Sequence, residues 1–217
     1  MTDLIIFDCD GVLVDSEPLS AKVATMALAE FGVHMDAEQR MKSFTGLSFA
    51  GSMAKVRNDF GVDLPPAYAI RQAQLLEQVF RQELKAMSGV VQMLESLRVP
   101  FCVGSNSSHA RLVLTFDATG LSHFFEGRVF SSDDVKEPKP APDLFLHAAA
   151  RCGVAPQNCL VIEDSHVGVT AAVKAGMPVI GFVGGSHASA SLAERLLQAG
   201  AQGIFDDLTR IEDHLCV

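Results

Sequence analysis

Two aspartates two residues apart, Asp8 and Asp10, close the short apolar run Leu4-Ile5-Ile6-Phe7 and stand directly before Gly11. Two other runs end the same way. Ser105-Asn106 follow Phe101-Cys102-Val103-Gly104, and Glu163-Asp164 follow Cys159-Leu160-Val161-Ile162. Lys139 stands in a proline-rich loop after a further run, Val129-Phe130-Ser131. Brought to one place, Asp8, Asp10, Glu163 and Asp164 would repel one another strongly unless a cation neutralised them. Hard carboxylate ligands with room left for a phosphate are what Mg2+ prefers. The lysine and the donors of Ser105 and Asn106 would form the cationic, hydrogen-bonding half of a site for a phosphoryl group.

These residues need elements that bring them together. A short all-apolar run ahead of turn residues reads as a strand buried on both faces. Beyond Gly89 such runs alternate with helical stretches, giving strands near 99–104, 128–131, 159–162 and 177–182 and a short one at 203–205. The intervening helices lie near 109–118 and 142–152, then up to Gly176, then near 189–200. Strand–helix alternation predicts an α/β fold, a Rossmann-like doubly wound parallel sheet with right-handed crossovers, whose ligands bind outside the carboxyl ends of the strands. Residues 16–87 break the alternation and read as helices only. Ser16 caps the first, with Leu19, Val23, Met26, Ala27 and Phe31 on one face and Gly32 at its end. Asp36-Ala37-Glu38-Gln39 reads as a capping box, Gly46 as a break and Ser52–Phe60 as a third helix. Pro65-Pro66 open a fourth helix with the stripe Leu76, Val79, Phe80, Leu84 and Met87. The expected organisation is therefore a discontinuous catalytic core, 1–15 with 88–217, and an inserted α-helical cap domain, 16–87. The segment Gly11–Asp15 is then a hinge that sets the cap above Asp8 and Asp10.

Bulk properties narrow the possibilities. A net charge of -9 over 217 residues argues against nucleic-acid binding, which needs a basic face. Five cysteines without a C-x-x-C pair do not read as a disulfide framework, and Cys9, Cys102 and Cys159 fit core positions in a reducing compartment. The amino terminus lacks the pattern of a secretory leader and no apolar run reaches about 18 residues, so the expectation is a cytoplasmic protein without a membrane partner. The seven histidines show no metal-ligand spacing and are read as surface or core residues.

The four motifs together, Asp8-Cys9-Asp10-Gly11, Ser105-Asn106, Lys139-Pro140-Ala141-Pro142-Asp143 and Glu163-Asp164-Ser165 with Gly168, resemble those of the haloacid dehalogenase superfamily. They stand in the expected order over nearly the whole chain. The likeness is to the subgroup of β-phosphoglucomutase-like phosphatases with a helical cap, and the phrasing resembles bacterial 6-phosphogluconate phosphatases. The resemblance implies a Mg2+-dependent phosphatase of a small phosphorylated metabolite, a sugar or sugar-acid phosphate; the sequence does not encode the oligomeric state, and a monomer is compatible with a small cap that must open and close. Asp8 would be the nucleophile that forms an aspartyl-phosphate, and Asp10 the acid and then the base. Lys139, Ser105 and the Asn106 backbone N–H would bind the phosphoryl oxygens. Asp8, the Asp10 main-chain oxygen, Asp164 and Glu163, the last directly or through water, would hold the metal.

Plainer readings stand beside these. Lys136 competes with Lys139 but reads as solvated. Ser107 or Ser108 fits the cap of the helix after Ser105. Asp133-Asp134 read as a solvated loop rather than metal ligands, and Glu163 could merely complement a helix dipole. Gly184-Gly185 read as a loop before an anion nest. The main functional alternative is a phosphosugar mutase. In β-phosphoglucomutases the cap loop matching Gly46-Leu47-Ser48-Phe49 carries an arginine for a second phosphate. Phe49 stands there in this chain, with Lys42, Lys55 and Arg57 the nearest basic residues. That favours a phosphatase. A catalytically idle binding or regulatory module is the non-enzymatic alternative, and such a protein would be expected to lack the nucleophile or the lysine.

Overall fold

The computed structural model describes residues 2–44 and 49–214, without the side chains of residues 37, 38, 41, 42, 49, 50 and 212–214. They form two compact units, Met1–Asp15 with Lys85–Val217, and Ser16–Leu84.

In the first unit the buried apolar runs become strands: β1 (Leu4–Phe7), β2 (Phe101–Ser105), β3 (Val129–Ser131), β4 (Cys159–Glu163), β5 (Val179–Phe182) and β6 (Ile204–Phe205). They pair in parallel throughout, in the order β3-β2-β1-β4-β5-β6. The strand order reverses between β1 and β4, which is where an open sheet of this kind leaves a crevice at its carboxyl edge. Side chains alternate between the faces. Leu4 and Ile6 enter one core with Leu144, Phe145, Ala148 and Ala149 of α7 (Asp143–Cys152), Val169, Ala171 and Ala172 of α8 (His166–Lys174), and Leu192 and Leu196 of α9 (Leu192–Ala199). Phe7 points the other way into an aromatic row. Its ring lies 6.2 Å from that of Phe101, Phe101 lies 5.5 Å from Phe125, and Phe125 stacks 5.2 Å from Phe116 of α6 (His109–Thr119). Helices thus cover both faces, as a strand buried on both sides requires. Cys9, Cys102 and Cys159 are free and buried, in keeping with their reading as core residues. No helix among the described residues is long and apolar enough to cross a membrane.

Directly after β1 the chain turns back on itself. Leu13 N–H donates to the Cys9 carbonyl at 3.0 Å and Gly11 N–H to the Val14 carbonyl at 2.8 Å. Gly11 sits at φ 81°, where a side chain would be strained. Val12, Leu13 and Val14 are buried by this turn. The chain that returns to the sheet runs alongside: Val14 bridges Ala86 in antiparallel sense, and Met87 N–H donates to the Leu13 carbonyl at 2.8 Å. Residues 84–87 are extended for this pairing, so the fourth helix of the helical block ends at Glu83 and the apolar stripe expected to continue to Met87 stops there. Between that crossing and β2, the short helix α5 (Val90–Ser96) buries Val90, Met93 and Leu94.

The second unit contains α1 (Glu17–Glu30), α2 (Ala37–Phe44), α3 (Phe49–Phe60) and α4 (Pro66–Glu83), and no strand among its described residues. Asp36 and Gln39 make the reciprocal capping box at the start of α2, with Oδ1 of Asp36 accepting from Gln39 N–H at 2.7 Å. The antiparallel pair α1 and α4 is tied at both ends, by Lys22–Glu83 at 2.7 Å and by a bidentate Arg71–Glu30 pair at 2.6 and 2.8 Å. Its core holds Val23, Ala27, Leu28, Val33, Phe44, Val56, Tyr68, Leu75 and Val79. Met26, expected on the inner face of α1, is 40% exposed. Ala24 and Leu28 are buried in its stead, which turns a side of the helix with small residues inward. Gly46, Leu47 and Ser48, on which the mutase comparison turned, lie outside the described residues, as do the Phe49 and Lys42 side chains.

Phe145 is fully buried in the sheet core, and its ring lies against Gly104 of β2, where an added Cβ would come within 3.4 Å. Phe145→Ala is therefore expected to lower unfolding free energy by about 3–5 kcal/mol, measured by equilibrium urea denaturation followed by circular dichroism.

Candidate active site

β1 delivers Asp8 to the carboxyl edge, and Asp8 N–H is held there by the Ile162 carbonyl of β4 at 2.9 Å. Glu163 ends β4 and Asp164 follows it, so three carboxylates meet where the strand order reverses. Lys139 reaches into this group: its Nζ lies 2.7 Å from Oδ1 of Asp8 and 2.6 Å from Oε1 of Glu163. The ammonium also sits 4.5 Å from the centroid of the Phe145 ring, over its face. The second Glu163 oxygen accepts from Ser165 N–H at 3.0 Å and Ser165 Oγ at 2.9 Å. Ser165 Oγ in turn caps α8 through Gly168 N–H at 3.0 Å. Gly168 is obligatory at that spot, because a Cβ there would stand 1.7 Å from Oε1 of Glu163.

Electrostatics follow from the burial. Asp8, Glu163, Asp164 and Lys139 are all buried. Burial pushes the Asp8 carboxyl well above its usual range. Lys139 pulls it back down, while Glu163 and Asp164 push it up further. For Lys139, burial disfavours the charge, but Asp8 and Glu163 outweigh it and hold the ammonium above its ordinary value. One lysine thus faces three carboxylates. Oxygens of Asp8, Glu163 and Asp164 lie within 4.8 Å of one another, an all-oxygen set that suits a hard divalent cation. Gly11 keeps the space clear, since a Cβ there would come within 1.9 Å of Oδ2 of Asp164. The residues present fit such an ion.

On the other side of β1, Ser105 ends β2, almost fully buried, with its Oγ accepting from Ser107 N–H at 3.1 Å. The Asn106 side chain clamps the lysine loop, donating to the Lys139 carbonyl at 3.1 Å and accepting from Lys139 N–H at 3.0 Å. Ser108 is the cap of α6, accepting from Arg111 N–H at 3.4 Å. Ser107 has a different task and donates its Oγ to Oδ2 of Asp10 at 2.7 Å. The other Asp10 oxygen lies 3.0 Å from a terminal nitrogen of the Arg111 guanidinium. The Asp10 carboxylate is therefore directed to Ser107 and Arg111, apart from the three grouped acids. Asp133 and Asp134 brace the β3 end: Asp134 forms a capping box with Ser131 and accepts from His109 at 2.9 Å, and Asp133 accepts from His109 N–H at 2.9 Å.

The structure thus brings Asp8, Lys139, Glu163 and Asp164 together and sets Asp10, Ser105 and Asn106 on neighbouring turns. Sequence reasoning missed Arg111 and His187. Arg111 lies in the first turn of α6, where side chains lean back toward the helix start and hence toward the strand ends. His187 lies in the loop after β5, with Nε2 2.9 Å from Oδ2 of Asp164.

Residues 2–176 match the family model of haloacid dehalogenase-like hydrolases. The chain belongs to that family. It is 32% identical over 187 residues to a 6-phosphogluconate phosphatase of Escherichia coli (strain K12), covering 85% of this chain and 84% of that protein. It is 31% identical over 179 residues to a fructose-1-phosphate phosphatase of the same organism, covering 81% and 94%. Among solved structures, a haloacid dehalogenase-like protein of unknown function from Agrobacterium tumefaciens superposes with a TM-score of 0.88 at 37% identity, over 100% of this chain and 98% of that one. A haloacid dehalogenase-family hydrolase from Deinococcus radiodurans, solved with bound phosphate and sodium, gives 0.82 at 33% identity over 99% and 95%. Family and phosphatase relatives together make this chain a phosphoric monoester hydrolase.

Removing the lysine leaves buried carboxylates without their counter-charge, and breaking a buried pair in this way costs about 3–5 kcal/mol. Lys139→Met is expected to lose that much stability near neutral pH in the presence of EDTA. With the lysine gone nothing pulls the Asp8 carboxyl down, so its native-state value climbs further above its unfolded one. A carboxyl raised on folding contributes stability that is complete below its unfolded value and is lost as pH rises. The deficit against the unsubstituted protein should therefore shrink as pH falls toward about 4, which thermal melts across a pH series will show.

Proposed function

We propose that this phosphatase hydrolyses small phosphorylated metabolites of the sugar or sugar-acid class through an aspartyl-phosphate on Asp8, with Mg2+ held by Asp8, the Asp10 main-chain oxygen, Glu163 and Asp164. The observation that carries the reading is the buried Asp8–Lys139–Glu163 array with Asp164 beside it at the reversal of the strand order. Naming of two relatives for phosphorylated sugars and a sugar acid supports the substrate class.

In this reading Lys139 favours the ionised form of Asp8 against the burial that raises its carboxyl, and an Asp8 oxygen attacks phosphorus. Ser105 Oγ, the Asn106 N–H and the Lys139 ammonium bind the phosphoryl oxygens as charge builds on them. The bond from phosphorus to the ester oxygen breaks with its electron pair on the leaving alkoxide, and Asp10, which enters the cycle protonated, supplies the proton. Asp10 then takes a proton from water as the water oxygen attacks the phosphoryl group. The Asp8–phosphorus bond breaks, releasing inorganic phosphate and restoring the carboxylate. A bound Mg2+ would neutralise the grouped acids and the phosphoryl oxygens. To act, Asp10 exchanges Ser107 and Arg111 for the leaving oxygen. The helical unit Ser16–Leu84, inserted directly after the turn that follows Asp8, is the cap that selects the substrate, and the setting is cytoplasmic.

Steady-state phosphate release with Mg2+, from p-nitrophenyl phosphate and from a panel of hexose phosphates, 6-phosphogluconate and phosphoglycolate, tests this. Asp8→Asn should reduce turnover by at least about 10³-fold, and Asp10→Asn by about 10²–10⁴-fold. Undiminished turnover in Asp8→Asn would refute the nucleophile. Interconversion of β-glucose 1- and 6-phosphates without phosphate release would make the protein a mutase, and no turnover of any substrate an idle module.

A further inference from the structure

The loop after β5 reaches the acid cluster at Asp164. Its residues Gly184, Gly185, Ser186 and His187 are tied down at two points. Ser186 Oγ donates to Oδ1 of Asp15 at 2.8 Å, supported by Ser186 N–H at 3.3 Å. One residue on, the His187 imidazole places Nε2 2.9 Å from Oδ2 of Asp164, with only 16% of its side chain exposed.

Two glycines exist for this pair. A Cβ on Gly185 would stand 2.6 Å from Cε1 of His187, so a side chain there would occupy the place of the ring. A Cβ on Gly11 would come within 1.9 Å of Oδ2 of Asp164 and 3.0 Å of the same Cε1. The imidazole and the carboxylate thus fill a slot that the backbone leaves open on both sides. Lys139 pairs with Asp8 and Glu163, and Ser165 holds the far oxygen of Glu163. Asp164 receives the equivalent support from His187.

We infer that His187 is a positioning residue for the candidate metal ligand Asp164. This rests on the reading of Asp164 as a ligand. A short carboxylate beside two others of like charge would rotate away from them unless one oxygen were anchored. The imidazole supplies the anchor from a loop that Ser186 and Asp15 hold in place. Outer partners of this kind orient metal ligands, and their loss costs about 10–100-fold in metal affinity.

Binding of the metal alone tests the inference, with Mn2+ as the ion visible by electron paramagnetic resonance, on the purified full chain. Circular dichroism and melting temperature check that each variant is folded. The unsubstituted protein is expected to bind one Mn2+, and Asp164→Asn to bind it far more weakly. Failure of that comparison overturns the ligand reading itself. Given that comparison, His187→Ala should weaken Mn2+ binding about 10–100-fold. His187→Gln, whose side-chain N–H can reach the same oxygen without a charge, should recover most of the loss. Binding by His187→Ala within about twofold of the unsubstituted protein overturns the inference. So does tighter binding, which would make the imidazole a competitor of the ion. A Gln variant as weak as the Ala variant overturns it too, since donation to Asp164 would then not be what matters.

Discussion

The site depends on a lysine buried between two carboxylates. Nζ of Lys139 bridges Asp8 and Glu163 at 2.7 and 2.6 Å, with 3% of its side chain exposed. Taking such charges out of water is expensive, and their attraction compensates only when geometry is good and the remaining hydrogen bonds are made. Those conditions are met piece by piece. Asn106 grips the lysine backbone on both its donor and its acceptor, Phe145 presents its ring face to the ammonium, and Ser165 satisfies the second oxygen of Glu163. The arrangement still leaves three buried acids to one lysine. That surplus of negative charge is a poor way to stabilise a fold and a good way to hold a cation, which is why the array reads as a site.

Sheet topology is what makes the array possible. Asp8 and Glu163 are 155 positions apart in sequence, yet β1 and β4 are direct neighbours with Phe7 opposite Ile162. Reversal of strand order at this pair sends the connections on its two sides to opposite faces of the sheet, so no crossover covers the gap. Side chains leaving the two strands converge there. Gly11 and Gly168 then remove the two Cβ atoms that would collide with Asp164 and Glu163. Strand order brings the carboxylates near, and glycines let them close to within ion-binding distance.

Much of this was readable because each chemical residue directly follows an apolar run, so that placing the strands placed Asp8, Ser105, Glu163 and Asp164. What escaped are residues that act across elements. Arg111 meets Asp10 from 101 positions away, and His187 meets Asp164 from a loop whose length and course no local pattern dictates. Seven histidines without regular spacing offered no reason to single one out. Short elements were lost for a related reason: α5 has only 7 residues, too few for a helical period to stand out from a loop. At Met26 and at the end of α4, tertiary packing overrode the stripe. Small residues turned inward on α1, and pairing with Leu13 and Val14 drew residues 84–87 into an extended crossing.

The same logic separates two aspartates that look alike in sequence. Asp8 stands in the buried centre of the site, with an ammonium on one oxygen and two carboxylates nearby. Such surroundings hold a group in one place and make its charge depend on its cationic partners. Asp10 stands toward the rim, 17% of its side chain exposed, between a serine hydroxyl and a partly exposed guanidinium. One of these partners is a neutral hydroxyl, and the other keeps 27% of its side chain exposed. A group fixed in one place suits an attacking atom, whose distance to phosphorus must be set in advance. A group that can change partners at little cost suits a proton carrier, which must serve two oxygens in turn. Under the proposed mechanism, two environments at a single strand end would divide the labour between neighbours that differ in position by only two residues.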